Sequence, residues 1–202
     1  MTIRNSETAF IIQQLFVQFP NLQNMEITSG GLQRIQPNGF VLARNLRTLA
    51  LQGNRIASIQ ANAFSGLINL DTLIMRHNNM QIIDQNAFIG LINLHNLFIN
   101  NENIRNIHQN ILRPLTNLSM VSLASNQLER VDAQLFANNR HIHSAFLENN
   151  QINAINPQFV NNINGIQVLS LSSNPCVNQV FITRIVTQAN INSLLTTCTS
   201  NW

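Results

Sequence analysis

Blocks of 24 residues follow one another in phase along the chain, and this periodicity restricts the fold more than any other property. With Leu22 as position 1, the same position is filled by Leu46, Leu70, Leu94, Leu118, Ile142 and Ile166. Position 4 holds Met25, Leu49, Leu73, Leu97, Val121, Ala145 and Leu169. Position 6 holds Ile27, Leu51, Met75, Ile99, Leu123, Leu147 and Leu171. Positions 11 and 14 are apolar from Leu32/Ile35 through to Ile152/Ile155. A Phe recurs at position 19 as Phe40, Phe64, Phe88 and Phe136; Leu112 substitutes in one block and Phe159 comes one residue early in another. A single block cannot bury such a set alone, whereas stacked blocks can. The short alternating apolar segment predicts a strand that pairs with its counterpart in the next block at about 4.8 Å. Extrapolated backwards, Ile3, Ile11, Phe16 and Phe19 fit a preceding partial block.

The pattern LxxLxLxxN stands as Leu46-x-x-Leu49-x-Leu51-x-x-Asn54 and returns from Leu70, Leu118, Ile142 and Ile166. It resembles the 24-residue class of extracellular leucine-rich repeats over nearly the whole chain. The resemblance implies an α/β fold: a right-handed leucine-rich repeat solenoid with a concave parallel β-sheet and a short helical C-terminal cap. On that reading residues 1–174 are repeats, one partial plus seven, and residues 175–202 are the cap. The opening Thr2-Ile3-Arg4-Asn5-Ser6, leading to Phe19-Pro20-Asn21-Leu22, is similar more narrowly to secreted insect leucine-rich repeat proteins. Met1 falls inside a repeat at position 4, with no basic and then apolar leader visible. It is therefore expected to be an artificial start or a cut made after targeting.

Two cysteines occur, Cys176 and Cys198, both beyond the last repeat strand. Between them Val177, Phe181 and Ile185, with Ile182 and Val186, recur at helical spacing. This is similar to the C-terminal caps of extracellular leucine-rich repeats, which usually carry four cysteines. The likeness implies a Cys176–Cys198 bridge and an oxidising, extracellular compartment; two free core thiols are the alternative. No Cys/His spacing suggests zinc, so neither a metal nor another cofactor is expected. No apolar run approaches the ~18–20 residues of a membrane span.

Charge is sparse, with 11 Arg, no Lys and 8 acidic residues giving a net +3. Arginines scattered singly argue against a nucleic-acid surface. About a quarter of the chain is amide, with 34 Asn and 18 Gln. Part of this excess is periodic. Asn54, Asn78, Asn126, Asn150 and Asn174 share position 9 as a structural ladder, where a buried amide satisfies turning backbone that an apolar side chain cannot. Gly30 and Glu102 interrupt that ladder and put the local loop geometry in question. Two more columns are Asn21, Asn45, Asn69, Asn93 and Asn117, and Asn38, Asn62, Asn86 and Asn110. Stacked amides of this kind can bond to each other along a solenoid. Asn117-Leu118-Ser119 is also a glycosylation sequon.

Strand positions 3, 5 and 7 are expected to face solvent on the concave sheet, alternating with core positions 4 and 6. They place Ile74, Phe98, Met120, Phe146 and Val168 in an apolar strip where polar residues would be ordinary. Position 7 adds Arg4, Arg76, Asn100 and Glu148 as polar contacts. Exposed apolar patches often mark partner sites, and aromatic anchors carry much interface energy. Ile74, Arg76, Phe98, Asn100, Met120, Phe146, Glu148 and Val168 are thus the candidate ligand-binding residues. The plainer reading is a sheet that tolerates scattered apolar side chains, or one covered by another chain segment.

Catalysis finds little support. His95 and His143 share position 2 with Ser119 between them, and His141-x-His143 lacks a completing carboxylate or Cys. Glu129 and Asp132 are expected to be solvated. No phosphate loop or nucleophile elbow occurs. The expectation is a secreted, non-catalytic module that binds a protein partner, in recognition or immunity. The alternative is a structural component of an extracellular matrix, secretion or coat that self-associates. That alternative is motivated by the absence of Lys and Tyr, both common crosslinking targets. A third idea is a protein delivered into host cells that escapes Lys-directed modification.

Overall fold

The computed structural model describes residues 1–4, 13–163, 165–182, 191, 193, 195–199 and 202. In chain order the elements are β1 (Thr2–Arg4), α1 (Gln14–Gln18), β2 (Asn24–Thr28), β3 (Thr48–Ala50), β4 (Ser58–Ile59), β5 (Thr72–Ile74) and β6 (Ile82–Ile83). Then come β7 (Asn96–Phe98), β8 (Met120–Ser122), β9 (Arg130–Val131), β10 (Ser144–Phe146), β11 (Ala154–Ile155), β12 (Val168–Ser170) and β13 (Val180–Ile182). A 3-10 turn, Phe159–Asn162, and α2 (Thr196–Thr199) complete the set.

One strand per repeat builds a nine-stranded sheet in the order β1-β2-β3-β5-β7-β8-β10-β12-β13. Every parallel pair is in a 24-residue register, as in Leu49 beside Leu73 and Val121 beside Ala145. The periodicity predicted stacked repeats with pairing strands, and the arrangement is the leucine-rich repeat solenoid that the resemblance implied. The return side carries two small parallel pairs, β4 with β6 and β9 with β11, formed at positions 13 and 14.

Between the two sides lies a continuous apolar core. Phe40, Phe64 and Phe88 stack with centroids 6.2 and 6.0 Å apart, so position 19 forms an aromatic column. Phe16 extends it at 5.8 Å. Phe159, although one residue early, is fully buried and packs on Phe136 at 5.8 Å. Phe159 opens a 3-10 turn, and the block as a whole keeps its 24 residues. Phe19, in contrast, is exposed, because it follows the end of α1 rather than lying beneath the repeat. Ile11 and the Ile3 side chain lie outside the described residues.

The position-9 ladder satisfies backbone on both of its sides. Asn126 Nδ2 donates to Ile99 O (2.9 Å) and Leu123 O (3.0 Å), while its Oδ1 accepts from Ile104 N–H (3.2 Å). Asn150 and Asn174 repeat the pattern. Glu102 does not break the loop. Its buried carboxylate accepts from Asn78 N–H (2.9 Å) and from Met80 N–H (2.7 Å), the latter being the bond an Asn oxygen would make. It offers no amide donor, and burial raises its pKa from 4.5 to about 7 against the pull of those backbone donors.

The pre-strand column also acts between neighbouring repeats: Asn45, Asn69, Asn93 and Asn117 each donate Nδ2 to a carbonyl one coil back. The column from Asn38 works differently. Asn38 and Asn62 have φ of 60° and 59°, the left-handed region that Asn tolerates. Position 8 is left-handed too, at Ser29, Gly53, His77, Asn101, Ser125, Asn149 and Ser173. Side chains bond to each other instead along Asn79, Asn103 and Gln127.

The cap departs from the expected helix over Val180–Ile182. This segment is a strand, antiparallel to β12, that ends the sheet with Phe181 buried and Val180 and Ile182 exposed. A sheet edge otherwise left open selects the extended form. Ile185 and Val186 lie outside the described residues. Cys176 and Cys198 form a disulfide with Cα atoms 5.0 Å apart, tying α2 to the end of the last repeat. Among the described residues no helix is long and apolar enough to cross a membrane.

Candidate functional site

Strand alternation turns positions 3, 5 and 7 away from the core, and the register sets which side chains become neighbours. Ile74 lies beside Phe98, Phe98 beside Ser122, Ser122 beside Phe146, and Phe146 beside Ser170. In the adjoining row Met120 sits between Asn96 and Ser144, with Val168 beyond Ser144. The apolar strip is therefore two clusters joined obliquely rather than an unbroken line. All five apolar members are half-buried. Ala50, Ser122 and Ser170, expected to face solvent, are 3%, 8% and 5% exposed because their short side chains end below taller neighbours.

Position 7 forms a polar row beside this strip: Gln52, Arg76, Asn100, Ala124 and Glu148. The Arg76 guanidinium lies over the Phe98 ring, its Cζ 4.8 Å from the centroid. Gln52 Oε1, Arg76 Nε, Asn100 Oδ1 and Glu148 Oε2 are shielded from solvent without a hydrogen-bond partner. Among the described residues only Asn139 Oδ1 shares that condition. Unpaired shielded polar atoms are uncommon in native structures and carry a free-energy penalty. Four of them in one row of one face is therefore informative. The Arg4 side chain lies outside the described residues.

Position 2 forms the rim where chain enters the sheet. His95 Nδ1 donates to Asp71 Oδ1 at 2.9 Å, and Thr72 Oγ1 donates to Asp71 Oδ2 at 2.8 Å. Ser119 Oγ and His143 Nδ1 are 3.3 Å apart. These contacts escape residue-by-residue reading, but stepping by 24 from Asp71 to His95 reveals the first. Asn117, the sequon residue, is half-exposed with its Nδ2 bonded to Ile92 O at 3.0 Å. Glu129, part-exposed as expected, is paired with Arg105 at 2.7 Å on the surface, and Asp132 Oδ1 accepts from Gln134 N–H at 2.9 Å. Among the described residues no three His, Cys, Asp or Glu side chains are placed to share a metal ion.

The fold defines the class, a leucine-rich repeat solenoid, and its sheet presents two half-buried apolar clusters that include Phe98 and Phe146. A sequence profile described as "Leucine rich repeat" matches residues 44–104. The fold is similar to that of the TLR13 chain in a crystal structure of a TLR13–ssRNA13 complex, with a TM-score of 0.78 at 21% identity. The likeness covers 93% of this chain and 26% of that one, so this chain spans about a quarter of its length. Among curated proteins no match is found.

Proposed function

We propose that this chain is an extracellular, non-catalytic module that binds a protein partner on its concave sheet, in a recognition role such as immunity. The half-buried rings of Phe98 and Phe146 on the sheet carry this reading, since a partner's apolar side chains would cover them, and the unpaired polar atoms beside them would gain partners only as their side chains turn outward to meet it. Residues 1–174 act as the binding array and 175–202 close its end. The Cys176–Cys198 bridge supports an oxidising compartment. The narrower likeness to secreted insect proteins rests on residues 2–6 and 19–22.

The test is panning of a displayed library of secreted-protein fragments on the folded chain. Ligands selected on the wild type are expected to bind roughly tenfold or more weakly when Phe98→Ala and Phe146→Ala are combined, at unchanged Tm. Unchanged affinity overturns the proposal. RNA is a rival ligand because the similar TLR13 structure holds ssRNA. Among the described side chains the candidate rows offer two arginines, Arg76 and, on the opposite rim, Arg47, against Glu26, Asp71 and Glu148. A single-stranded RNA oligomer is therefore expected not to saturate in an anisotropy titration at physiological salt. Saturation that depends on Phe98 would replace the protein reading.

A second reading, a structural component of a matrix, secretion or coat, is favoured by the exposed Val41, Ile68, Ile89 and Ile92 in the segments leading into the strands. Strictly monomeric light scattering at high concentration would eliminate it.

A further inference from the structure

Within that binding reading, on which this step rests, the β8 strand leaves a low point in the concave face. Ser122 at its end and Ala124 just beyond it are small and buried, while the strands on either side raise Phe98 and Phe146. Those two Phe residues are two strands apart, roughly 10 Å by sheet spacing. Arg76 lies over one face of the Phe98 ring and leaves the other face free of it, while Ser122 is the neighbour of Phe98 on β8. A flat or elongated group standing midway would lie about 5 Å from each ring, inside the range of cation–π attraction. Beside this gap stands Glu148, which has no ion-pair partner among the described residues and whose Oε2 is shielded and unbonded. Arg76 cannot serve it, being three strands away and already stacked on Phe98. Two aromatic rings flanking the gap and a carboxylate without an ion-pair partner among the described residues form an environment suited to positive charge.

We infer that the notch between Phe98 and Phe146, floored by Ser122 and Ala124, receives one cationic side chain, Arg or Lys, of the protein partner, with its charge directed to Glu148. The probe is acetyl-arginine methylamide, with uncharged, isosteric acetyl-citrulline methylamide as comparison. The reporter is the methyl NMR signal of Met120, which borders Ser122 on β8. The arginine probe should shift that signal saturably, and the citrulline probe should bind about fivefold or more weakly. Glu148→Gln should bring arginine down to the citrulline level, and Phe146→Ala should weaken arginine binding with the fold intact. Equal binding of the two probes, no shift at Met120, or an unchanged arginine response in Glu148→Gln overturns the inference. Its failure is separable from that of the binding reading. Panned ligands that need Phe98 and Phe146 but are indifferent to Glu148→Gln leave the concave site standing and remove the cation from it.

Discussion

Replacing Glu102 by Gln converts a titrating member of the buried ladder into a permanent mimic of its protonated form. Burial raises the folded-state pKa from 4.5 to about 7. Between those values the folded chain keeps the proton that the unfolded chain has released. Stability from this group is therefore full below pH 4.5 and falls as pH rises toward 7 and just beyond. A displacement of about 2.5 units at 1.36 kcal/mol per unit sets the loss at about 3 kcal/mol as an upper figure. For a chain of this size that is a Tm difference of about 6–12 °C. Thermal melts of wild type and Glu102→Gln from pH 4 to pH 9 isolate it, because groups that titrate alike in both proteins cancel in the difference. The two should melt together near pH 4.5 and diverge above it, with the variant more stable at pH 8. Parallel curves across that interval would refute the reasoning, and a variant less stable at pH 8 would show that the backbone donors to the carboxylate outweigh its desolvation.

Other consequences follow from particular contacts. Gly66→Ala should destabilise more than Gly90→Ala: both have φ near +98°, but a Cβ at Gly66 would meet Phe40 O at 2.5 Å, whereas at Gly90 the nearest atom is at 3.7 Å. Urea melts should rank the two in that order, and equal losses would leave backbone strain as the whole effect. Phe64→Ala opens the middle of the aromatic column and should cost about 3–5 kcal/mol in the same assay; a loss below 1 kcal/mol would mean that Phe40 and Phe88 close the gap. Reducing Cys176–Cys198 frees a loop of 22-residue separation and should remove about 3 kcal/mol, read as a lower Tm in reductant.

The core was legible because each member of a column is specified by its own position in the repeat. Leu49, Leu73 and Leu97 are buried by a rule that needs only the period. Burial on the concave face depends on who stands next door, so Ser122 and Ala50 vanish beneath taller neighbours although their strand position faces outward. Glu102 departs from the ladder in side-chain type but keeps its accepting role: one oxygen at the right height serves Met80 N–H as an Asn would. Val180–Ile182 were ambiguous for another reason. A short apolar run fits helix and strand alike, and only the unpaired edge of β12 decides between them. The Asp71–His95 contact and the Arg76 stack on Phe98 were present in the 24-residue register but become visible only when columns are compared across repeats.

The in-phase parallel register has a mechanical consequence. Since each coil bonds only to the coils before and after it, tension applied to the two ends does not load the whole sheet at once. Coils peel away one after another, each paying out 24 residues, about 80 Å of extended chain, in steps of uniform length. The disulfide shortens the last step by holding the stretch between Cys176 and Cys198, a sequence separation of 22, out of the extension. A chain built this way is expected to yield to force repeat by repeat, with the last step the shortest, rather than by a single rupture.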